Sequence, residues 1–389
     1  MPDDQVHTLF VESLRDVAPE DWDNLVGPEN PFLRHAFLSA LEESGCVGPK
    51  TAWSPEHALL FRGDQLWAAV PAYAKADSFG EYIFDHAWAD AFHRVGLAYY
   101  PKSLVAVPFT PANGRRFLSA QSDDPEAVRR LAEALQRRAI KQAQSSVHVL
   151  FLTLEEAQIL ESAGFRTRVS TQYHWFNHDY KSFDAYLEEL RSQKRKQIRR
   201  ERRAISESGL EILELTGNDI EPGHMQAMWR FYQDTGSRKW GRPYLNRAWF
   251  ENIRQAFAEN TLLFLARRPG KEYVAGTLNF LGKDRLFGRY WGATEHVPFL
   301  HFELCYYRPI EYAIRSGRLL FEAGAQGEHK FLRGFETVPC YSSHWFAHPE
   351  GQRAIGDFLA AEAEQVRAGI VHMNSFSPLK TLRSSGVQK

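Results

Sequence analysis

His57–Ala74 reads HALLFRGDQLWAAVPAYA, and Thr261–Leu281 reads TLLFLARRPGKEYVAGTLNFL. Each is a pair of apolar, strand-like runs around a tight turn, Gly63-Asp64 in the first and Pro269-Gly270 in the second, the pattern of a β-hairpin. The elements downstream of each hairpin also repeat. The first leads to a strand (Leu104–Phe109), a helix (Asp123–Gln144) and a buried strand (Val147–Leu152). The second leads to Arg285–Gly292, Phe299–Arg315 and Arg318–Glu322 in the same order. One order of elements met twice predicts an α/β (α+β) fold of two tandem modules, each a mixed central sheet flanked by helices. The boundaries expected are 1–170 for the first domain, 171–373 for the second and 374–389 for a polar tail.

A chain of 389 residues can bury two cores of ordinary size. Its formal net charge of −1 excludes a globally basic nucleic-acid protein, so any polyanion must be met by a local patch. Three scattered cysteines, Cys46, Cys305 and Cys340, are too few for a disulfide framework or a zinc cluster, and suit a reducing compartment. The acidic start MPDDQVHTLF has no apolar core of a secretion signal, and no run is long enough to span a bilayer. The expectation is a cytoplasmic protein with no membrane insertion.

Local basic patches do occur. The stretch RSQKRKQIRRERR, Arg191–Arg203, carries eight basic residues and one acidic, within a helix expected to run unbroken from Phe183 to Ser208. Like charges at i,i+4 repel, which makes Arg195, Arg199, Arg200 and Arg203 candidates for gripping a polyanion. In the first half PFTPANGRR comes directly after a strand. Its free amides around Asn113 and Gly114 and the side chains of Thr110, Asn113, Arg115 and Arg116 suggest a phosphate or donor site.

The densest run is AGAQGEHKFLRGF, directly after the buried strand ending at Glu322. Open α/β sheets bind ligands at the carboxyl ends of their strands. Gln326, Gly327, Glu328, His329, Lys330 and Arg333 therefore form the leading candidate site, with Tyr290 beside them and Trp240 and Arg242 as a facing lip. Glu303 lies at the edge of the apolar stripe Phe299, Phe302, Tyr306, Ile310 and Ala313, where half-burial suits a general base or an ion pair with a neighbouring arginine. No HExxH, GxSxG, Walker loop or GxGxxG after a strand is present, and no metal is expected.

These runs, LRSQKRKQIRRERRAISESG, HFELCYYRPIEYAI, LLFEAG and AQGEHKFLRGFETV, with PFTPANGRR and YSSHW, resemble the FemAB-like N-acyltransferases. That bacterial group, labelled peptidoglycan biosynthesis or recognition, belongs to the GNAT superfamily. The resemblance implies two tandem GNAT-like domains. It also implies transfer of an acyl or aminoacyl group, from acyl-CoA or aminoacyl-tRNA, to an amine on a small molecule or a peptidoglycan precursor. Glu303, Glu328 or His329 would take the amine's proton. The Q/R-x-x-G-x-G/A pyrophosphate loop of acetyl-CoA enzymes is absent from both halves, and the helical arm reads as one helix rather than an antiparallel pair. The alternative is a non-catalytic GNAT scaffold that binds tRNA or another polyanion in a basic groove.

Overall fold

Both hairpins form. In the computed structural model, which describes residues 6–121, 124–238, 243–324, 327 and 329–380, the two runs of each pair antiparallel. Gly63 and Gly270 take the positive φ of 58° and 68° that their turns require. Contacts divide the chain into a first unit, up to Ser170 plus Pro339–Ala368, and a second, Thr171–Val338 plus residues from Gly369 on.

The first unit holds β1 (Val6–Val11), β2 (Trp53–Pro55), β3 (His57–Arg62), β4 (Gln65–Val70), β5 (Ala72–Lys75), β6 (Lys102–Val105), β7 (Leu118–Ser119) and β8 (Ser146–Leu152). They hydrogen-bond in the orders β1-β3-β4-β7 and β8-β6-β5-β2. The helix Pro125–Lys141 starts on a proline, and the Asp124 carboxylate accepts from the Glu126 and Ala127 amides. Its Val128, Leu131 and Leu135 join the core with Ala58, Val70 and Val149.

The second unit holds β9 (Arg166–Phe176) from Thr171 on, β10 (Glu211–Thr216), β11 (Thr261–Arg267), β12 (Tyr273–Leu281), β13 (Arg285–Ala293) and β14 (Leu320–Glu322), in the order β10-β11-β12-β13-β14-β9. The pairing is antiparallel except for the parallel β13–β14 step, so the sheet is mixed. Gly292 on β13 lets the helix Pro222–Arg238 lie close, since a Cβ there would collide with the Phe231 carbonyl oxygen.

Three expectations change. The basic helix is not continuous: it divides into Phe183–Glu189 and Ser192–Ser206, because Leu190 is extended (ψ 147°) and bridges Leu379. The helix after β13 contains a π turn, Glu303–Tyr307. Pro309 comes soon after and has no N–H for the Cys305 carbonyl four residues back. Within the stretch expected as a second domain, 171–373, residues Pro339–Ala368 group with the first unit. The cause is β15 (Glu336–Phe346), whose Tyr341–Phe346 pairs antiparallel with β8, while Ile355 and Leu359 pack with Phe346, Trp88 and Phe92.

Candidate functional site

In the second unit β14 ends in buried Glu322, whose carboxylate stands 3.8 Å from His174 Nε2 on β9 and 3.4 Å from Arg285. The chain turns at Gly324 (φ 82°) and returns as Lys330, only 2% exposed. The Lys330 ammonium donates to the Gly324 carbonyl at 2.6 Å, and so ties the loop to the end of its own strand. Burial pushes its pKa down to about 8, which leaves a substantial neutral fraction near physiological pH.

His329 stands 2.7 Å from the Tyr306 hydroxyl, on the π turn, and its ring packs on those of Phe302 and His301. Gly327 (φ 115°) makes this possible, because a Cβ there would stand 2.7 Å from His329 Cε1. Arg333 lies beneath. It donates to the His329 carbonyl (2.9 Å), the Tyr307 hydroxyl (2.9 Å) and Glu201 (3.1 Å), with its guanidinium 3.5 Å over the Phe302 ring. Each of its nitrogens is engaged inside the protein, so Arg333 braces the loop against the basic helix rather than reaching for substrate. Tyr290 is half-buried, against Tyr232 and Trp249. Gln326, Glu328, Trp240 and Arg242 lie outside the described residues.

Of the two roles open to Glu303, the structure shows the ion pair. Glu303 is 2% exposed and accepts from Arg202 (3.3 and 3.2 Å) and Arg308 (2.9 Å), so its lone pairs serve as counter-charge. These groups line a cavity of about 410 Å³ together with Arg199 and Arg203. Along the basic helix Arg195 pairs with Glu188, and Arg199 with Asp184 and Glu188. Arg200 and Arg203 are exposed and make no ion pair among the described residues. With exposed Lys196 they fall at i, i+4 and i+7, one stripe of the helix.

The first-unit loop is turned inward. Arg116 is fully buried and donates to the carbonyls of Leu150, Ala112, Gly114 and Arg115, while Arg115 donates to those of Ser119 and Val26. The Gly114 amide donates to Phe151, Thr110 Oγ1 to Pro108, and Asn113 Oδ1 accepts from the Cys340 thiol. Both guanidinium groups are therefore engaged with backbone carbonyls, that of Arg116 within the loop and on β8 and that of Arg115 at Ser119 and Val26.

Tyr306, Tyr307, Glu201 and His174 are not singled out by the sequence. The available signal was position: the two tyrosines sit one turn from Phe302, and Gln172, His174 and Phe176 alternate onto one strand face. Among the described residues no group of three or more His, Cys, Asp or Glu could hold a metal ion, and no helix is long and apolar enough to cross a membrane.

The FemAB-like family model, described as peptidoglycan biosynthesis/recognition, matches residues 13–381. Among solved structures, the chain is similar to FemX at 12% identity and a TM-score of 0.57, over 90% of this chain and 100% of that one. It is also similar to L-PGS from Bacillus licheniformis at 10% identity and a TM-score of 0.52, over 86% and 98%. Identities this low speak for the fold alone, and they agree with the expected α/β class. No curated protein matches the chain.

Proposed function

The chain belongs to the FemAB-like family of acyltransferases, and from that membership we propose that it moves an aminoacyl or acyl group onto an amine of a peptidoglycan precursor in the cytoplasm. The observation that carries this reading is Lys330, buried at a strand end beside His329, with its pKa down at about 8.

The acceptor amine attacks the donor's carbonyl carbon. As the C–N bond forms, the nitrogen gives up a proton to neutral Lys330 or to His329. The tetrahedral intermediate then collapses with cleavage of the donor's ester or thioester bond, and the leaving oxygen or sulfur takes the proton back. Tyr306 orients His329, and Arg333 fixes the loop that carries both. An aminoacyl-tRNA donor suits the exposed stripe Lys196, Arg200 and Arg203 better than a thioester does, because that stripe offers charge spaced for a polyanion and the acetyl-CoA loop pattern is absent.

The test is incubation of the purified protein with labelled aminoacyl-tRNA or acyl-CoA and a peptidoglycan precursor, reading the amide product by mass. Amide formation that Lys330→Met removes, with the melting temperature kept, supports the reading. Salt-sensitive tRNA binding with no transfer to any acceptor would leave the non-catalytic polyanion module instead.

A further inference from the structure

The first unit buries two lysines side by side. Lys75 on β5 and Lys102 on β6 are directly opposite in the antiparallel register, and neither is exposed. Like charges opposite each other on adjacent strands repel, and removal from water adds a desolvation cost to each.

All the carboxylates that face them come from one irregular segment, residues 76–85. Asp77 stands 2.9 Å from the Lys75 ammonium, Glu81 stands 2.8 Å from Lys102 and 4.0 Å from Lys75, and Asp85 bonds Lys102. The same segment supplies the Ser78 hydroxyl to Lys102 and the Phe79 carbonyl to Lys75. Around them stand the Tyr99 hydroxyl, which donates to Asp85, and His148 and His344, both held neutral by burial.

The fit is imperfect in a specific way. Two buried carboxylates, Glu81 and Asp85, and the part-exposed Asp77 answer the two ammoniums, yet Glu81 Oε1 and Asp85 Oδ1 accept no hydrogen bond although their side chains are 2% and 4% exposed. Buried acceptors without donors are costly, and burial raises Glu81 to about 7. The segment also holds Tyr82 at a φ of 62°, a region unfavourable for a bulky residue. Of its large apolar side chains Phe79 and Phe84 are 62% and 59% exposed and Ile83 is buried, so part of its apolar surface faces solvent while it is shut.

We propose that Lys75 and Lys102 form an anion site for a phosphate-bearing ligand, and that residues 76–85 plug it, with their carboxylates in the place of the ligand's oxygens. A phosphate or diphosphate brings about two negative charges and several acceptors on one centre, matching the two ammoniums in place of the Glu81 and Asp85 carboxylates and their unpaired oxygens. The ligand enters as the segment swings out, and the lysines keep their counter-charge throughout.

The experiment is calorimetric titration of the full chain with pyrophosphate, with hydrogen exchange followed across residues 76–85. Binding is expected, with faster exchange in that segment. Glu81→Gln, which removes one charge of the plug, is expected to tighten it about tenfold, or about 1.4 kcal/mol. Lys75→Met is expected to abolish binding, and Arg200→Glu with Arg203→Glu to leave it intact, which separates this site from the basic helix. Titration with UDP and with phosphatidate vesicles distinguishes a nucleotide from a lipid source, and either signal supports the site if Lys75→Met removes it. The proposal is overturned if neither wild type nor Glu81→Gln binds pyrophosphate, or if binding survives Lys75→Met. The lysines and carboxylates would then be a closed structural network.

Discussion

Lys330 is where burial and chemistry meet most directly. Its ordinary pKa near 10.5 falls to about 8 on folding, so between those values the unfolded chain binds a proton that the folded chain does not. Folding stability therefore rises with pH across that window, and at lower pH the protein carries the cost of a buried ammonium. If neutral Lys330 takes the acceptor's proton, kcat/KM rises through about pH 8 to a plateau, and Lys330→Arg, always charged, flattens that rise. A profile unchanged in Lys330→Arg would remove the lysine from proton transfer. Arg333 makes a different prediction. It and Glu201 are both nearly inaccessible, so Arg333→Ala leaves a buried carboxylate unpaired and should destabilise by about 3–5 kcal/mol, measured by urea unfolding. The stretch around His329, Lys330 and Arg333 stood out in the sequence as a candidate site because so many polar residues rarely crowd the end of a buried strand. The partners Tyr306, Tyr307 and Glu201 were not legible, since they meet the loop only through folding. The orientation of Arg115 and Arg116 was not legible either. A guanidinium in a turn-rich loop reads the same whether it points to solvent or, as here, to backbone carbonyls of the folded chain.

At the scale of elements, close approach of helix to strand is set by absent side chains. Gly292→Ala places a Cβ against the Phe231 backbone, which cannot swing away as a side-chain tip can, so a loss of about 1–3 kcal/mol and a lower melting temperature are expected. An unchanged melting temperature would mean that the helix Pro222–Arg238 can shift outward freely. The basic helix yields a prediction with the opposite profile. Replacing Lys196, Arg200 and Arg203 by glutamine should leave thermal unfolding nearly untouched, since all three are exposed, while the log–log salt dependence of tRNA binding becomes shallower by about 2. Both hairpins, the capped helix Pro125–Lys141 and the strand before the loop could be read from periodicity and turn residues. The break at Leu190 could not. Apolar spacing runs straight through it, and only the pairing of Leu190 with Leu379, far away in sequence, pulls that residue out of the helix. The π turn was hidden for a subtler reason: Pro309 announces a lost hydrogen bond but not whether the helix kinks, stops or widens.

For the whole molecule, the repeat of elements foretold two modules, but order along the chain does not say which module a late strand joins. Tyr341–Phe346 could extend either sheet by sequence alone, and its partner β8 lies far earlier in the chain. The consequence is testable by truncation. Residues 1–170 alone lack the strand beside β8, along with Phe346, Ile355 and Leu359, which cover Trp88, Phe92 and Tyr99. Burying an aliphatic or aromatic side chain is worth about 1.5–3 kcal/mol each, and a domain's net stability is only about 5–15 kcal/mol, so removing three such groups with a strand takes away most of the margin. The fragment 1–170 is therefore expected to be aggregated or molten, with weak near-ultraviolet dichroism and ready proteolysis. Joining residues 339–368 to it through a flexible linker should restore cooperative unfolding. If 1–170 unfolds cooperatively alone, the returning segment is an accessory to the first unit rather than part of its core, and the two modules are as separable as their sequence order suggests.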